Sequence, residues 1–415
     1  MKLPRPAGLP HPMGRYVCAI AALVAALSIP GRADAHDPAQ PVRTRTPIKR
    51  VIVIIGENRT FDHVFGLYQP RKGQTVSNLL SRGIVNADGT PGPHFAQAAQ
   101  FQVEPQSAYY ISAPRKSAYS TLPPPDLNGT PPAPRDIWPP FRTLAEAVAA
   151  EPALELGDEA LLTTGASGLA RTQGLDTRVL NYSALPDGPF PISGPKLSYD
   201  SYTGDTSHRF YQMWQQSDCG AATATSANPS GCLSDLYAFV NTTFAPRDAG
   251  MGNALGFYNV SNGDAPLLKK LAGEFSSSDN FHQSVMGGTG PNHVMLGTGD
   301  AVFFSDGKGN PATPPSALIA NPNPIPGSNN RYTVDGAWSN CSGSAAPGVG
   351  PIVSYLRRMG LAPNCAAGHF YMLNNTMAGF LPNGAPASGA AGTFVPPSTV
   401  RTIGDELLEQ HISWA

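Results

Sequence analysis

Residues 50–55, Arg-Val-Ile-Val-Ile-Ile, form an unbroken β-branched run that ends abruptly in the polar segment Gly56-Glu57-Asn58-Arg59-Thr60-Phe61-Asp62-His63. The run does not alternate apolar with polar, so a strand made from it has no face to show to water. Strands buried on both faces belong to parallel sheets covered by helices, and the run therefore predicts an α/β fold. In open α/β sheets, ligands gather at the carboxyl ends of the strands, which is where the polar segment falls. Helical patterning follows at 143–163 (broken by Pro152), 208–216, 265–275, 350–360 and 402–411. The last of these opens with Thr402 followed three residues later by Asp405, a start resembling a capping box.

Composition explains the remainder. Gly and Pro number 43 each, about a fifth of 415 residues, where about 12% is usual. They concentrate at 86–140 and 307–348, which read as long irregular insertions rather than linkers. Charged residues make up 14% and the formal net charge is −1. Coiled coils, helical repeat arrays and a strongly basic nucleic-acid face are excluded, so no nucleic-acid partner is expected.

The N-terminus sets the compartment. Lys2, Arg5 and Arg15 precede an apolar stretch from Tyr16 to Ile29, and Ala33-Asp34-Ala35 supplies a cleavage site. This predicts a signal peptide over 1–35 and an extended leader over 36–47. The stretch is shorter than the ~20 residues of a membrane span, so no transmembrane anchor is expected after cleavage. The mature chain then keeps Cys219, Cys232, Cys341 and Cys365. An even count in an oxidising compartment predicts two disulfides in a secreted or periplasmic protein. Of the three possible pairings, Cys219–Cys232 with Cys341–Cys365 closes the shortest loops; no C-x-x-C spacing supports zinc.

Three constellations carry candidate chemistry. In the first, Glu57 and Asn58 offer a carboxylate and an amide oxygen, hard donors suited to a divalent cation. The plainer reading is a capped turn into a short helix, with Asp62 and His63 in solvent. The second pairs Asp279-Asn280-Phe281-His282 with Gly287-Gly288-Thr289-Gly290-Pro291-Asn292-His293. Its glycines permit close backbone approach, and Pro291 suits the first position of a helix. Thr289 and the free N–H groups of that helix end would form an anion site. A hydroxyl there is a candidate nucleophile toward phosphorus, activated by a metal. His282, Asn292 and His293 are candidates to hold phosphoryl oxygens. The third constellation is Gly204–Arg209, in which His208 precedes an aromatic helix. No G-x-S-x-G elbow and no G-x-x-x-x-G-K-[ST] loop is present.

In this order, the segments KRVIVIIGENRTFDHVFG (49–66), HRFYQMWQQSDC (208–219) and DNFHQSVMGGTGPNHVMLGTGD (279–300) resemble a known group. It is the bacterial phosphoesterase family that contains the non-specific phospholipases C and the respiratory-burst-inhibiting acid phosphatases. The likeness runs from about Ile48 to Ala415. It implies an alkaline-phosphatase-like α/β/α sandwich and phosphoester hydrolysis through a phospho-threonine intermediate. It also implies Thr289 as nucleophile, Glu57 and Asn58 as ligands of a divalent metal ion, and His208, His282 and Asn292 around the phosphoryl group.

The segment 208–219 is closer to the acid-phosphatase branch. The phospholipases generally read Pro-Asn-Arg where this chain has Pro291-Asn292-His293. The expected substrate is thus a phosphomonoester or a phospholipid. The family pattern places further metal ligands past Ala415, so 48–415 reads as a partial catalytic domain, truncated at its C-terminus. The alternative reading is a non-catalytic secreted protein that binds phosphate or another anion.

Overall fold

A computed structural model describes residues 46–48, 50–57, 59–104, 106–125, 143–150, 152, 175–199, 203, 206–243, 254–324, 332–334, 336–376, 379, 385 and 394–412. The expected signal peptide, nearly all of the leader, and Asn58 lie outside these residues. The chain divides into two compact units, one of Met1–Ile54 with Gly404–Ala415 and one of Ile55–Ile403.

Eight α-helices lie among the described residues: α1 (Phe61–Phe65), α2 (Leu144–Ala150), α3 (Phe210–Ser217), α4 (Tyr237–Thr243), α5 (Pro266–Glu274), α6 (Thr289–Thr298), α7 (Val349–Arg358) and α8 (Ile403–Glu409). Each described segment with helical periodicity holds one of them. The strands are short and pair two by two. β1 (Phe101–Gln102) runs antiparallel to β2 (Ser117–Ala118), and β3 (Phe190–Pro191) parallel to β4 (Gly256–Phe257). Further antiparallel pairs are β5 (Asn321–Pro324) with β6 (Tyr332–Val334), and β7 (Trp338–Ser339) with β8 (Tyr371–Met372). Helices mixed with small parallel and antiparallel sheets make this an α/β protein, the expected class.

The strand expected at 50–55 is not formed. Residues 50–57 carry no regular structure, and Val51, Ile52, Val53 and Ile54 are 77%, 85%, 73% and 68% exposed. A strand buried on both faces needs a hydrogen-bonded neighbour and a covering layer. Each strand described here has its partner elsewhere, so the run has the pattern for burial without a neighbour among the described residues to complete it.

Within the larger unit, the core that positions the site lies under α3 and α7. Tyr109, Ile111, Tyr211, Ile352, Tyr355 and Leu373 form one buried cluster. Tyr109 donates its hydroxyl proton to the Tyr211 carbonyl (2.8 Å), and the Tyr211 hydroxyl meets Ser339 Oγ (2.8 Å). Burial pushes the Tyr211 phenol up to about 12, so it stays a neutral packing element. At the far end of α3, Lys116 Nζ bridges Asp218 and Asp235 at 2.6 Å each, and Asp218 also accepts the Ala113 N–H (2.7 Å). The next residue, Cys219, is bonded to Cys232, and Cys341 to Cys365. These are the nearest-neighbour pairings, and each loop closure removes about 3 kcal/mol of chain entropy from the unfolded state.

Candidate active site

Residues 60–63 of the first motif fold as a capped turn. Thr60 Oγ1 accepts the His63 N–H (3.3 Å), and His63 Nδ1 accepts the Thr60 N–H (3.3 Å), which closes a capping box on α1. Asp62 does not sit in solvent as the plainer reading expected. It is half-buried, accepts the Leu79 N–H at 3.2 Å, and its carboxyl is raised above the usual range by burial, partly offset by that hydrogen bond and by Arg82. Asp279, from the second constellation, accepts the neighbouring Ser77 N–H (2.6 Å). The two acids, one 17 and one 202 residues from their partners, thus hold one loop and help line a cavity of about 530 Å³ with Arg82 and Asn280.

Gly287 to His293 form the turn and first helical residues expected of a nucleophile segment. Thr289 opens α6, with Gly288 at the N-cap. The turn is held from inside by Asn292, whose Oδ1 accepts the Val285 N–H (2.9 Å) and whose Nδ2 donates to the Val285 and Gly288 carbonyls (2.9 and 3.0 Å). Asn292, a candidate phosphoryl ligand, is thereby committed to the backbone of the turn. Glycine is required at 287 because a Cβ there would run into the Leu373 carbonyl oxygen.

His293 projects from the same turn and is exposed. Its Nδ1 lies 2.9 Å from the Thr289 carbonyl oxygen, which only accepts, so Nδ1 carries the proton. Its Nε2 is 4.0 Å from Glu57 Oε2. The first constellation therefore meets the second at the glycine turn, across more than 230 residues of sequence.

Thr203, the residue before the third constellation, contacts the first. Arg59 donates to Thr203 Oγ1 (2.9 Å), and His208 Nδ1 lies 2.9 Å from the Thr206 carbonyl. Gln283, next to His282, reaches Met213 Sδ on α3 (3.8 Å). His282 is exposed, and its Nε2 is 2.8 Å from Asn280 Oδ1. That contact puts the proton on Nε2 and leaves Nδ1 as the acceptor.

Two residues that sequence reasoning missed complete the frame. Asn374, 1% exposed, accepts the Phe210 N–H at the start of α3 (2.8 Å) and donates to the Gly336 carbonyl (2.8 Å). The N-cap of α3, Arg209, provides no side-chain cap of its own, so Asn374 supplies the cap from 164 residues away. Asn375 does the same for α6, accepting the Gly290 N–H at 2.7 Å. The helix end expected to offer free N–H groups thus has one of them already occupied. The available signal was a pair of amides directly after the apolar Tyr371-Met372-Leu373, which periodicity does not pick out.

Among the described residues, no three His, Cys, Asp or Glu side chains converge to hold a metal ion. Glu57 faces an imidazole at ion-pair distance, whereas a divalent cation of this kind takes about six ligands. The described donors do not make up such a site by themselves, and no chemical step is routed through one.

A glycine-backed helix end that opens with Thr289 and carries His293 within 4.0 Å of Glu57 is an arrangement suited to acting on anionic esters. The chain belongs to the Phosphoesterase family, whose profile matches residues 157–415. The match contains His208, His282, Thr289, His293 and the Asn374–Asn375 pair, while the Glu57 segment precedes it. The family is alkaline-phosphatase-like, and membership supports a hydrolase acting on phosphoesters. No curated protein and no solved structure matches the chain. Among the described residues no helix is long and apolar enough to cross a membrane, and the two disulfides fit an oxidising compartment.

Proposed function

We propose that the chain hydrolyses phosphoesters through a phospho-threonine formed on Thr289, as a secreted or periplasmic enzyme of acid phosphatase or phospholipase C type. The observation that carries this reading is the meeting of Glu57 with His293 on the first turn of the Thr289 helix (4.0 Å). In the first step Thr289 Oγ1 bonds to phosphorus as the bond from phosphorus to the ester oxygen breaks. The hydroxyl gives up its proton, and the departing alcohol gains one. In the second step water adds its hydroxyl to phosphorus as the bond from phosphorus to Thr289 Oγ1 breaks, and the water's other proton returns to Oγ1, releasing phosphate in the phosphatase case.

His293 Nε2 is the ring nitrogen left to meet substrate, because Nδ1 is held on the Thr289 carbonyl. In this reading His208 and His282 are further phosphoryl-binding groups. Asn292 contributes by holding the turn in shape. A divalent cation held by Glu57 and Asn58 is part of the proposal; it would stabilise negative charge on the transferring group. A phosphomonoester is the favoured substrate, since His293 stands where the phospholipase pattern carries arginine.

The test is hydrolysis of p-nitrophenyl phosphate and p-nitrophenyl phosphocholine, each with and without chelator, by the wild type and Thr289→Ala. Loss of a nucleophile lowers kcat about a thousandfold or more, and acid quenching should trap phosphate on Thr289 in the wild type alone. Full activity in Thr289→Ala overturns the nucleophile, and indifference to chelator overturns the metal. Phosphate binding without turnover would favour a non-catalytic anion-binding protein.

A further inference from the structure

Resting on that reading of Thr289, we propose that Asn375 is a phosphoryl-binding residue of the same site, using the two ends of its carboxamide for different tasks. Helix α6 begins without a cap of its own, because Gly288 at the N-cap has no side chain. Pro291 removes a further N–H from the first turn. Asn375 Oδ1 accepts the Gly290 N–H at 2.7 Å, so the oxygen end of the amide is fixed one residue from Thr289.

The placement is enforced by the backbone. The Gly288 N–H donates to the Leu373 carbonyl (3.2 Å), and a Cβ on Gly288 would collide with the Asn375 carboxamide. Residues 373–375 are therefore laid directly against the nucleophile turn, and no side chain larger than hydrogen fits between them.

The nitrogen end has the complementary chemistry. A carboxamide's nitrogen and oxygen share one carbon, so fixing Oδ1 on Gly290 keeps Nδ2 within a few ångströms of the same helix end. Asn375 is exposed, and among the described residues Nδ2 donates to no protein acceptor. An amide with its oxygen on the helix and two N–H donors facing outward is matched to the non-bridging oxygens of a phosphoryl group attacked by Thr289. It supplies donors without a formal charge, so it binds a phosphate ester without holding the free anion so tightly that product cannot leave.

Two substitutions separate this role from simple capping. Asn375→Asp keeps an acceptor for the Gly290 N–H, and aspartate caps as well as asparagine, but it replaces the donors with an anionic oxygen. Asn375→Ala removes the donors without adding charge. The readouts are KM and kcat for p-nitrophenyl phosphate, the Kd of inorganic phosphate by calorimetry, and Tm. We expect Asp to keep the wild-type Tm while weakening phosphate about tenfold or more, and Ala to weaken it about tenfold, as for loss of a hydrogen bond to a charged group.

Phosphate affinity within about twofold of wild type in either variant overturns the proposal. An effect of Asp alone would be charge repulsion, and an effect of Ala alone would be capping. Binding needs no turnover, so a wild type that binds phosphate but hydrolyses nothing, with both variants weakened, sinks the hydrolase reading and leaves Asn375 standing. A wild type that binds no phosphate sinks both.

Discussion

Val51–Ile55 and Val285–His293 are the two segments that the sequence marks most strongly, and the structure treats them in opposite ways. The first has five consecutive large aliphatic residues and leaves them in water, four of them at 68–85% exposure. The second has little apolar mass, yet its backbone is gripped from three sides. Asn292 holds it from within, while Leu373 and Asn375 hold it through the Gly288 and Gly290 N–H groups. Hydrophobicity sets the demand for burial, whereas packing depends on a complementary surface. The glycine turn has one in residues 373–375, and the aliphatic run has none among the described residues.

The contrast breaks most severely at Gly287. A methyl group there meets a carbonyl oxygen of the peptide backbone rather than the end of a flexible side chain, so one backbone segment must move. Gly287→Ala should cost about 3 kcal/mol and displace Thr289 enough to lower kcat about a hundredfold. Denaturant unfolding and steady-state kinetics measure both. A wild-type midpoint with wild-type kcat would show that the turn is not clamped.

Asn374 comes next. Its side chain is buried, and Asn374→Leu leaves the Phe210 N–H and the Gly336 carbonyl without their partners. Each unsatisfied buried group costs about 1–3 kcal/mol, and α3 loses the cap that Asn374 supplies, so a loss of about 2 kcal/mol in unfolding free energy is expected. His208, two residues before Phe210, should lose its register, and KM for p-nitrophenyl phosphate should rise. A loss of stability with unchanged KM would place Asn374 in the scaffold alone.

Asp62, seven residues after the aliphatic run, tests whether the chain becomes buried again just past it. Burial raises its carboxyl above the usual carboxylate range, so the folded chain holds that proton more tightly than the unfolded chain. Stability from this group is complete below about pH 3.8 and falls as pH rises through the folded-state value, after which it levels off. Asp62→Asn should flatten that fall in a series of Tm against pH, while keeping an oxygen for the Leu79 N–H. An unchanged slope would mean that Asp62 is well hydrated in solution.

The same comparison explains what was readable in advance. Helices α3, α5 and α7 announce themselves because one face repeats at helical spacing, as with Phe210, Tyr211 and Trp214. Thr289 and Glu57 stand out because glycines and hard oxygen donors are chemically unusual beside apolar runs. The strands escaped notice, since two to four residues carry no period. Asn374 and Asn375 escaped it as well, because their meaning lies in partners 164 and 85 residues away. The strand expected at 50–55 failed for a related reason. Its pattern states what the segment needs, and nothing in the pattern says whether a partner is present.

The smallest expected effect is the sharpest check on that last point. Val53 is 73% exposed and belongs to the smaller compact unit. Val53→Asn removes branched apolar surface that already faces water, so the unfolding free energy should move by less than about 0.5 kcal/mol. Removing exposed aliphatic surface should also lower the tendency of the chain to associate through this run, read as a drop in light scattering at high protein concentration. Glu57 and His293 lie downstream of the substitution, so kcat/KM should hold. A loss of about 3 kcal/mol or more, the signature of a polar group forced into a packed interior, would show that the run is buried in solution. The aliphatic segment would then belong with the glycine turn as a clamped element, and the contrast between them would disappear.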